Sequence, residues 1–502
     1  MCINALVVRR FPWHRTYLHR SRRFRVRLAA LALATSATAT ASPAPVFKAG
    51  AAASNITPPL GIVINCGMQN RTATHVHDEL HARCLVLDNG STQLAFVVID
   101  SCVIERKVFD AAKRLVLETT GLPLEHMTMS ATHAHSCGPL ARVHQAEADP
   151  EYVRFVVQRI ADGVRRARNN LAPARIGWGF GEVPGQVFNR RWKMKPGTIP
   201  SNPFGKIEQV MTNPTPGSRN LVEPAAPTDP QVWFISVRGL DGRAIALLAN
   251  YSLHYVGGVP EGDLSSDYFG AFADRIQQLL GGDRQDPPFV GLISNGTSGD
   301  INNTDFSGGR PKRASYEQIR IVSEELAREV LRVEKTLRYH DWVPLAVAQE
   351  EIVLGIRRPS PAEVSQARAI LARAKAVASK GAAGAVVQRW GLPRDEKYAL
   401  ETLNVNELPP TVSMPLQVVK IGALRVFALP VEAFVEIGLE LKGKYPESFT
   451  VTLANAYHGY LPTPEHHRLG GYEIWRAVSS CIEVEASTKI LARLDALAAK
   501  LK

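Results

Sequence analysis

Between residues 93 and 131 the chain spells a strand, a helix and a second strand in direct succession, and this unit constrains the fold more than any other feature. The continuous apolar run QLAFVVID (93–100) reads as a buried strand, a helical pattern over 105–119 stops at Gly121-Leu122-Pro123, and MTMSA (127–131) reads as the next strand. That order implies a β-α-β unit within a mixed or parallel sheet. The alternation continues through a helix at 151–169, strands at 232–237 and 244–251, a helix at 270–280 and a strand at 289–294. A final block offers strands at 416–422, 426–429 and 450–454 and helices at 431–444 and 487–500. The chain is α/β in character, with no internal repeat. Two stretches interrupt it. Residues 195–230, rich in Pro, Gly, Asn and Thr, read as a long ordered loop near a site or as a plain linker, and the Ala-rich stretch 361–389 reads as a helical insertion.

Charge is unevenly spread. Of a net +12, eight positive charges (Arg9, Arg10, Arg15, Arg20, Arg22, Arg23, Arg25 and Arg27) lie before residue 28 with no acidic residue among them. A short apolar run at 28–34 and a small-residue stretch at 35–42 follow, the layout of a secretory signal, so residues 1–41 are expected to be a signal peptide and the mature protein exported. The near-neutral remainder gives no reason to expect a nucleic-acid partner, and no later apolar stretch approaches the roughly 20 residues of a membrane span. Six cysteines (Cys2, Cys66, Cys84, Cys102, Cys137, Cys481) have neither zinc-ribbon nor disulfide-scaffold spacing; export leaves five, hence at least one free thiol or an intermolecular bridge.

The most informative local cluster is Thr132-His133-Ala134-His135-Ser136, directly after the strand at 127–131. On an extended segment side chains two apart point the same way, so both imidazoles can approach one metal or one substrate; the alternative is a hydrogen-bonded loop pair. Single residues sit in similar places: His254 after the strand ending at 251, Glu432 after the strand ending at 429, and Tyr457 and Tyr460 after the strand ending at 454. Each alone is a plausible loop residue. Together they fall beyond the carboxyl ends of strands, where open α/β sheets build their sites, and two His with one Glu around an open position is a catalytic zinc set. The segment Asn295-Gly296-Thr297-Ser298-Gly299-Asp300-Ile301-Asn302-Asn303 reads either as an anion or oxyanion cradle or as a plain turn.

With these residues in hand the chain resembles the neutral/alkaline ceramidase family, zinc-dependent amidases that hydrolyse the N-acyl bond of ceramide. The resemblance starts near Gly50, with ASNITPPLG (53–61) similar to the family's opening, and runs to about Glu473. It implies a mixed-sheet catalytic domain of neutral ceramidase type over 46–502, without that family's C-terminal immunoglobulin-like domain. The family's T-H-x-H-S motif falls on Thr132 to Ser136, which implies that His133 is a zinc ligand and that His135 either supports the ligands from behind or polarises substrate. Its strand-end histidine falls on His254, its P-x-E motif on Pro430 to Glu432, and the ligating tyrosine of its N-x-Y-x-x-Y segment on Tyr460. Its tyrosine-glutamate pair falls on Tyr472-Glu473, with the tyrosine facing substrate, and its N-R motif on Asn189-Arg190, whose arginine contributes to the site.

Two departures qualify the substrate. Asn302 stands where family members carry a serine, leaving an amide as oxyanion or substrate contact, and Cys137 is an extra residue beside the histidines. The resemblance thus implies a Zn2+ hydrolase acting by activated water on a small-molecule or lipid N-acyl amide, with transient contact to a membrane surface. Other amides or esters, or a secreted binding protein that has lost turnover, are the alternatives.

Overall fold

The structure, a computed structural model, describes residues 45–64, 66, 71–143, 146–308, 311–380 and 393–501. The expected signal sequence at 1–41 and positions 381–389 of the Ala-rich insertion lie outside the described residues; Pro361–Lys380 is helical.

Strands β1 (Lys48–Asn55), β2 (His81–Asp88), β3 (Gln93–Ile99), β4 (Met127–Ala131), β5 (Ala172–Glu182), β6 (Gln231–Gly239), β7 (Ala244–Tyr251) and β8 (Val290–Asn295) form an eight-stranded sheet in the order β8-β7-β6-β5-β1-β2-β3-β4. Inner neighbours are antiparallel, whereas the two outermost pairs, β3 with β4 and β7 with β8, are parallel. Parallel pairing needs a crossover, and helices α1 (Arg106–Thr120) and α3 (Asp267–Leu279) supply one at each edge. The mixed sheet is therefore built from antiparallel strands flanked by two β-α-β units. Helix α1 ends where the sequence requires: Gly121 adopts φ 75° and returns its N–H to the Leu117 carbonyl.

Strand alternation sorts the core. Ala82, Val97, Ile99, Met129 and Ala249 pack with residues of α1, α2 (Pro150–Asn169), α3 and α4 (Glu317–Glu334) on one face. On the other, Leu85, Phe96, Ile235 and Leu248 pack against Val419, Val426 and Ala428 of a second sheet, β9 (Leu345–Gly355), β10 (Thr411–Ile421), β11 (Leu424–Ala428) and β12 (Ser448–Val451). That sheet's far face holds Leu416 and Phe427 against Ile490 and Leu494 of the closing helix α5 (Ala486–Lys500). Each such fully buried aliphatic or aromatic side chain contributes about 1.5–3 kcal/mol, so four layers are tied by three apolar seams.

What positions the site is how the main sheet's two edges meet. Beyond β12, Thr452 N donates to Asn295 O (3.0 Å), while Ala131 N donates to Leu453 O (3.2 Å) and Asn455 N to Met129 O (2.8 Å). Residues 452–455 thus bond to β8 and β4 at once, and Asn295 Nδ2 donates directly to Thr132 O at 3.3 Å. Leu453 (φ 53°) and Asn455 (φ 64°) take left-handed conformations to do so. The ends of two strands farthest apart in sheet order are thereby held side by side.

The stretch 195–230 is ordered rather than a plain linker, and it carries strands: Val210–Thr212 and Leu221–Pro224 flank Arg191–Met194 in a three-stranded sheet. The helix expected from 431 begins at Val435, because Glu432–Ala433 pairs instead with Tyr460–Leu461 as a short parallel ladder.

Candidate active site

His133 and His135 approach one another by a route other than strand alternation. The chain leaves β4 and turns at His133, whose φ of 78° is a strained conformation for a residue with a side chain. His133 Nδ1 faces the Cys102 carbonyl at 2.9 Å, and His254 Nδ1 faces the Ser298 carbonyl at 3.2 Å. A ring nitrogen against a carbonyl must carry the proton, which leaves each Nε2 with its lone pair exposed. Those two Nε2 atoms stand 3.0 Å apart, and His135 Nε2 lies 3.4 Å from that of His133. The ligand atoms of all three histidines fall within 4.8 Å of one another.

Glu432 completes the set. Its Oε2 is 3.3 Å from His133 Nε2 and is otherwise buried without a hydrogen-bond partner, while Oε1 accepts from the Tyr457 hydroxyl at 2.9 Å. Burial works against the Glu432 carboxylate, but the His133 imidazole, the Arg190 guanidinium and the Tyr457 hydroxyl hold it below its ordinary range. Burial, with His133, Arg190 and His135 nearby, keeps the His254 imidazole well below its own, hence neutral. The His133 and His254 Nε2 atoms and the orphaned Glu432 oxygen converge on one point, an arrangement a cation among them would satisfy. The group can hold a metal ion, and the donor set fits a divalent one. Local packing enforces the approach: a Cβ at Gly299 would lie 2.6 Å from the Glu432 carbonyl oxygen, so only glycine lets this turn lie against the Glu432 strand.

Arg190, Tyr460 and Tyr472 form a second group beside the first. The Tyr460 and Tyr472 hydroxyls are 2.9 Å apart, and Arg190 Nη2 donates to Tyr460 at 3.3 Å and to the Gly299 carbonyl at 2.6 Å. Arg190 Nε reaches Glu473 Oε1 at 3.0 Å. Arg191 Nη1 and the Thr212 hydroxyl share Glu473 Oε2, at 2.9 and 2.6 Å, so a fully buried carboxylate locks both arginines. Burial, then Glu432 and Tyr472, push Tyr460 well above its ordinary range, and it stays a phenol. Its backbone is paired with Glu432, yet among the described residues its hydroxyl bonds Arg190 and Tyr472 rather than any imidazole.

Asn302 lies in the short strand Ile301–Asn302 against Phe188–Asn189. Its Nδ2 donates to Asn213 Oδ1 at 3.0 Å and its Oδ1 accepts from Thr304 N at 2.9 Å. The amide is turned into that loop, with no hydrogen bond to the histidines. Two contributors escaped sequence reasoning. Tyr255 stacks on His135 with ring centroids 3.7 Å apart; its signal was adjacency to His254. The disulfide between Cys66 and Cys102, 36 residues apart, backs His133 through the Cys102 carbonyl, and scattered cysteines gave no pairing to read. Cys84, Cys137 and Cys481 are free thiols.

No protein-family model matches the chain. Among solved structures it is similar to the neutral ceramidase from Pseudomonas aeruginosa, with a TM-score of 0.67 at 15% identity over 91% of this chain and 74% of that one. A structure described as ceramidase complexed with C2 gives 0.66 at 16% identity over 91% and 75%. The mixed α/β architecture is thus the neutral ceramidase fold, as the resemblance implied.

Proposed function

We propose that the chain is a zinc-dependent hydrolase that cleaves an N-acyl amide bond in ceramide or a related N-acylated lipid. One observation carries the reading: on a ceramidase fold, the His133 and His254 lone pairs and the orphaned Glu432 oxygen converge in a buried pocket of space that wants a cation. Zinc bound by these three would supply a Lewis acid and a water whose pKa is lowered to about 7. The remaining work falls to the chain. Tyr457 orients Glu432 through Oε1. The Tyr472 hydroxyl, half-buried and backed by Tyr460 and Arg190, is a donor placed for the oxygen of a substrate carbonyl, and His135, braced flat on Tyr255, is a second. Tyr460 joins the ligand set only by exchanging its bonds to Tyr472 and Arg190.

A second reading keeps the centre and changes the substrate to another amide or an ester. The observation favouring it is Asn302, which bonds Asn213 rather than facing the histidines. Zinc per chain and turnover on ceramide, N-acyl amines and simple esters, for the purified protein and His133→Ala, test both. About one zinc per chain with amide turnover, both lost in the variant, is expected; a metal-free chain that still turns over would sink the assignment.

A further inference from the structure

We propose that the Cys66–Cys102 disulfide hides a second metal site: once reduced, its two sulfurs and His135 form a thiolate-rich cation site that draws His135 away from the first centre. The geometry stands on its own. Cys66, Cys102 and His135 each present a ligand atom within 4.8 Å of the other two. Tetrahedral zinc, with bonds of about 2.0–2.3 Å, holds its ligand atoms roughly 3.5–3.8 Å apart. Breaking the S–S bond lets the sulfurs separate toward that spacing, so the movement a cation requires is the one reduction allows. Two thiolates and an imidazole are a donor set suited to zinc, cobalt or copper(I).

The redox chemistry is a two-electron exchange. A dithiol reductant gives up two electrons and two protons, becoming a cyclic disulfide while Cys66 and Cys102 become thiols, and each thiol releases its proton when its sulfur takes the metal. Among the described residues the other thiols do not compete. Cys84, Cys137 and Cys481 are buried, and burial raises them to about 12, well above the ordinary range, and to about 11 respectively, so they keep their protons. Cys102 is also coupled to the first centre, since its carbonyl accepts from His133 Nδ1 and its Sγ lies 3.8 Å from that atom. If His135 polarises substrate, as the proposed function has it, filling the thiolate site lowers turnover while the first metal stays in place.

Cobalt titration of the full chain before and after reduction tests this. A phosphine serves as the reductant, being oxidised to phosphine oxide with oxygen from water, and thiol counting confirms two new thiols. Visible bands alone in the oxidised protein report the histidine centre. Reduction is expected to add one further cobalt per chain and a near-ultraviolet thiolate-to-cobalt charge-transfer band, which Cys66→Ser lacks and which weakens about tenfold or more in apparent cobalt affinity in His135→Ala. The comparison of oxidised with reduced wild type needs no variant to fold. Absence of the band after confirmed reduction, an equal band in the oxidised protein, or a disulfide that resists reductant in the folded chain each overturns the proposal. Loss of the visible bands alone counts against the zinc hydrolase reading instead.

Discussion

Among the described residues, two largely buried clusters of histidine and carboxylate stand out, and proximity alone does not distinguish them. His133, His135 and His254 beside Glu432 are one; Asp300, Glu436 and His466 are the other, also with ligand atoms within 4.8 Å. The difference is complementarity. In the first, backbone carbonyls take the Nδ1 protons and leave acceptors facing acceptors. In the second, His466 Nε2 meets Glu436 Oε1 at 2.6 Å as a donor meets an acceptor, and Asp300 accepts from Val435 N at 2.9 Å and Asn189 Nδ2 at 2.7 Å. His466 Nδ1 and Glu436 Oε2 are left over, but the contacts at the cluster's heart are already closed by protons. A frustrated set calls for a cation; a matched set stitches segments together.

The largest effect should come from removing a converging lone pair. His254→Ala is expected to lose the metal and to lower turnover by about 10³-fold or more, equivalent to at least about 4 kcal/mol of transition-state stabilisation. Metal analysis beside steady-state kinetics checks it, and a variant with full metal content would erase the contrast between the clusters. Next in size is Tyr457→Phe, which takes the hydroxyl from Glu432 Oε1 while leaving every proposed metal donor in place. Its metal affinity should fall about 10–100-fold, read by competition with a coloured chelator.

Those residues were legible in the sequence to different depths for physical reasons. Strands β3, β4 and β7 are runs whose apolar content declares them, and the histidines after β4 and β7 could be placed at strand ends from local order alone. Strands β1 (KAGAAASN) and β5 (APARIGWGFGE) could not, because small residues carry little periodic signal and their pairing is decided by distant partners. The meeting of His133 with His254 depends on residues 452–455 bonding to both sheet edges, a contact across more than 300 residues that no local pattern encodes. Similarly, Glu432 could be placed after the strand ending at 429 and on a P-x-E motif, while its pairing with Tyr460, which delayed the helix expected from 431, came from tertiary structure.

The matched cluster predicts a smaller effect with the opposite metal outcome. His466→Leu removes the donor to Glu436 and leaves a carboxylate partly buried and unpaired, so stability should drop by about 1–3 kcal/mol in denaturant titration. Metal content should not change. A variant that loses metal along with stability would place an ion in both clusters and end the distinction drawn from complementarity.

The subtlest test is a slope. Burial, with the nearby Glu436 charge adding to it, pushes Asp300 up from an ordinary 3.8 to about 6, even though His466 and the Val435 and Asn189 bonds pull the other way. Between those values the unfolded chain is ionised while folded Asp300 keeps its proton. Stability from this group is therefore whole below pH 3.8, falls as pH rises through about 6, and is flat above, with a slope no steeper than about 1.4 kcal/mol per pH unit. Asp300→Asn holds a neutral side chain at every pH and costs one acceptor, a constant offset. Measured across pH 4 to 7, the stability difference should shift in the variant's favour as pH rises and hold steady above about 6. A constant difference throughout would mean that Asp300 is ionised inside the fold, and that its cluster carries a negative charge of the kind that holds cations after all.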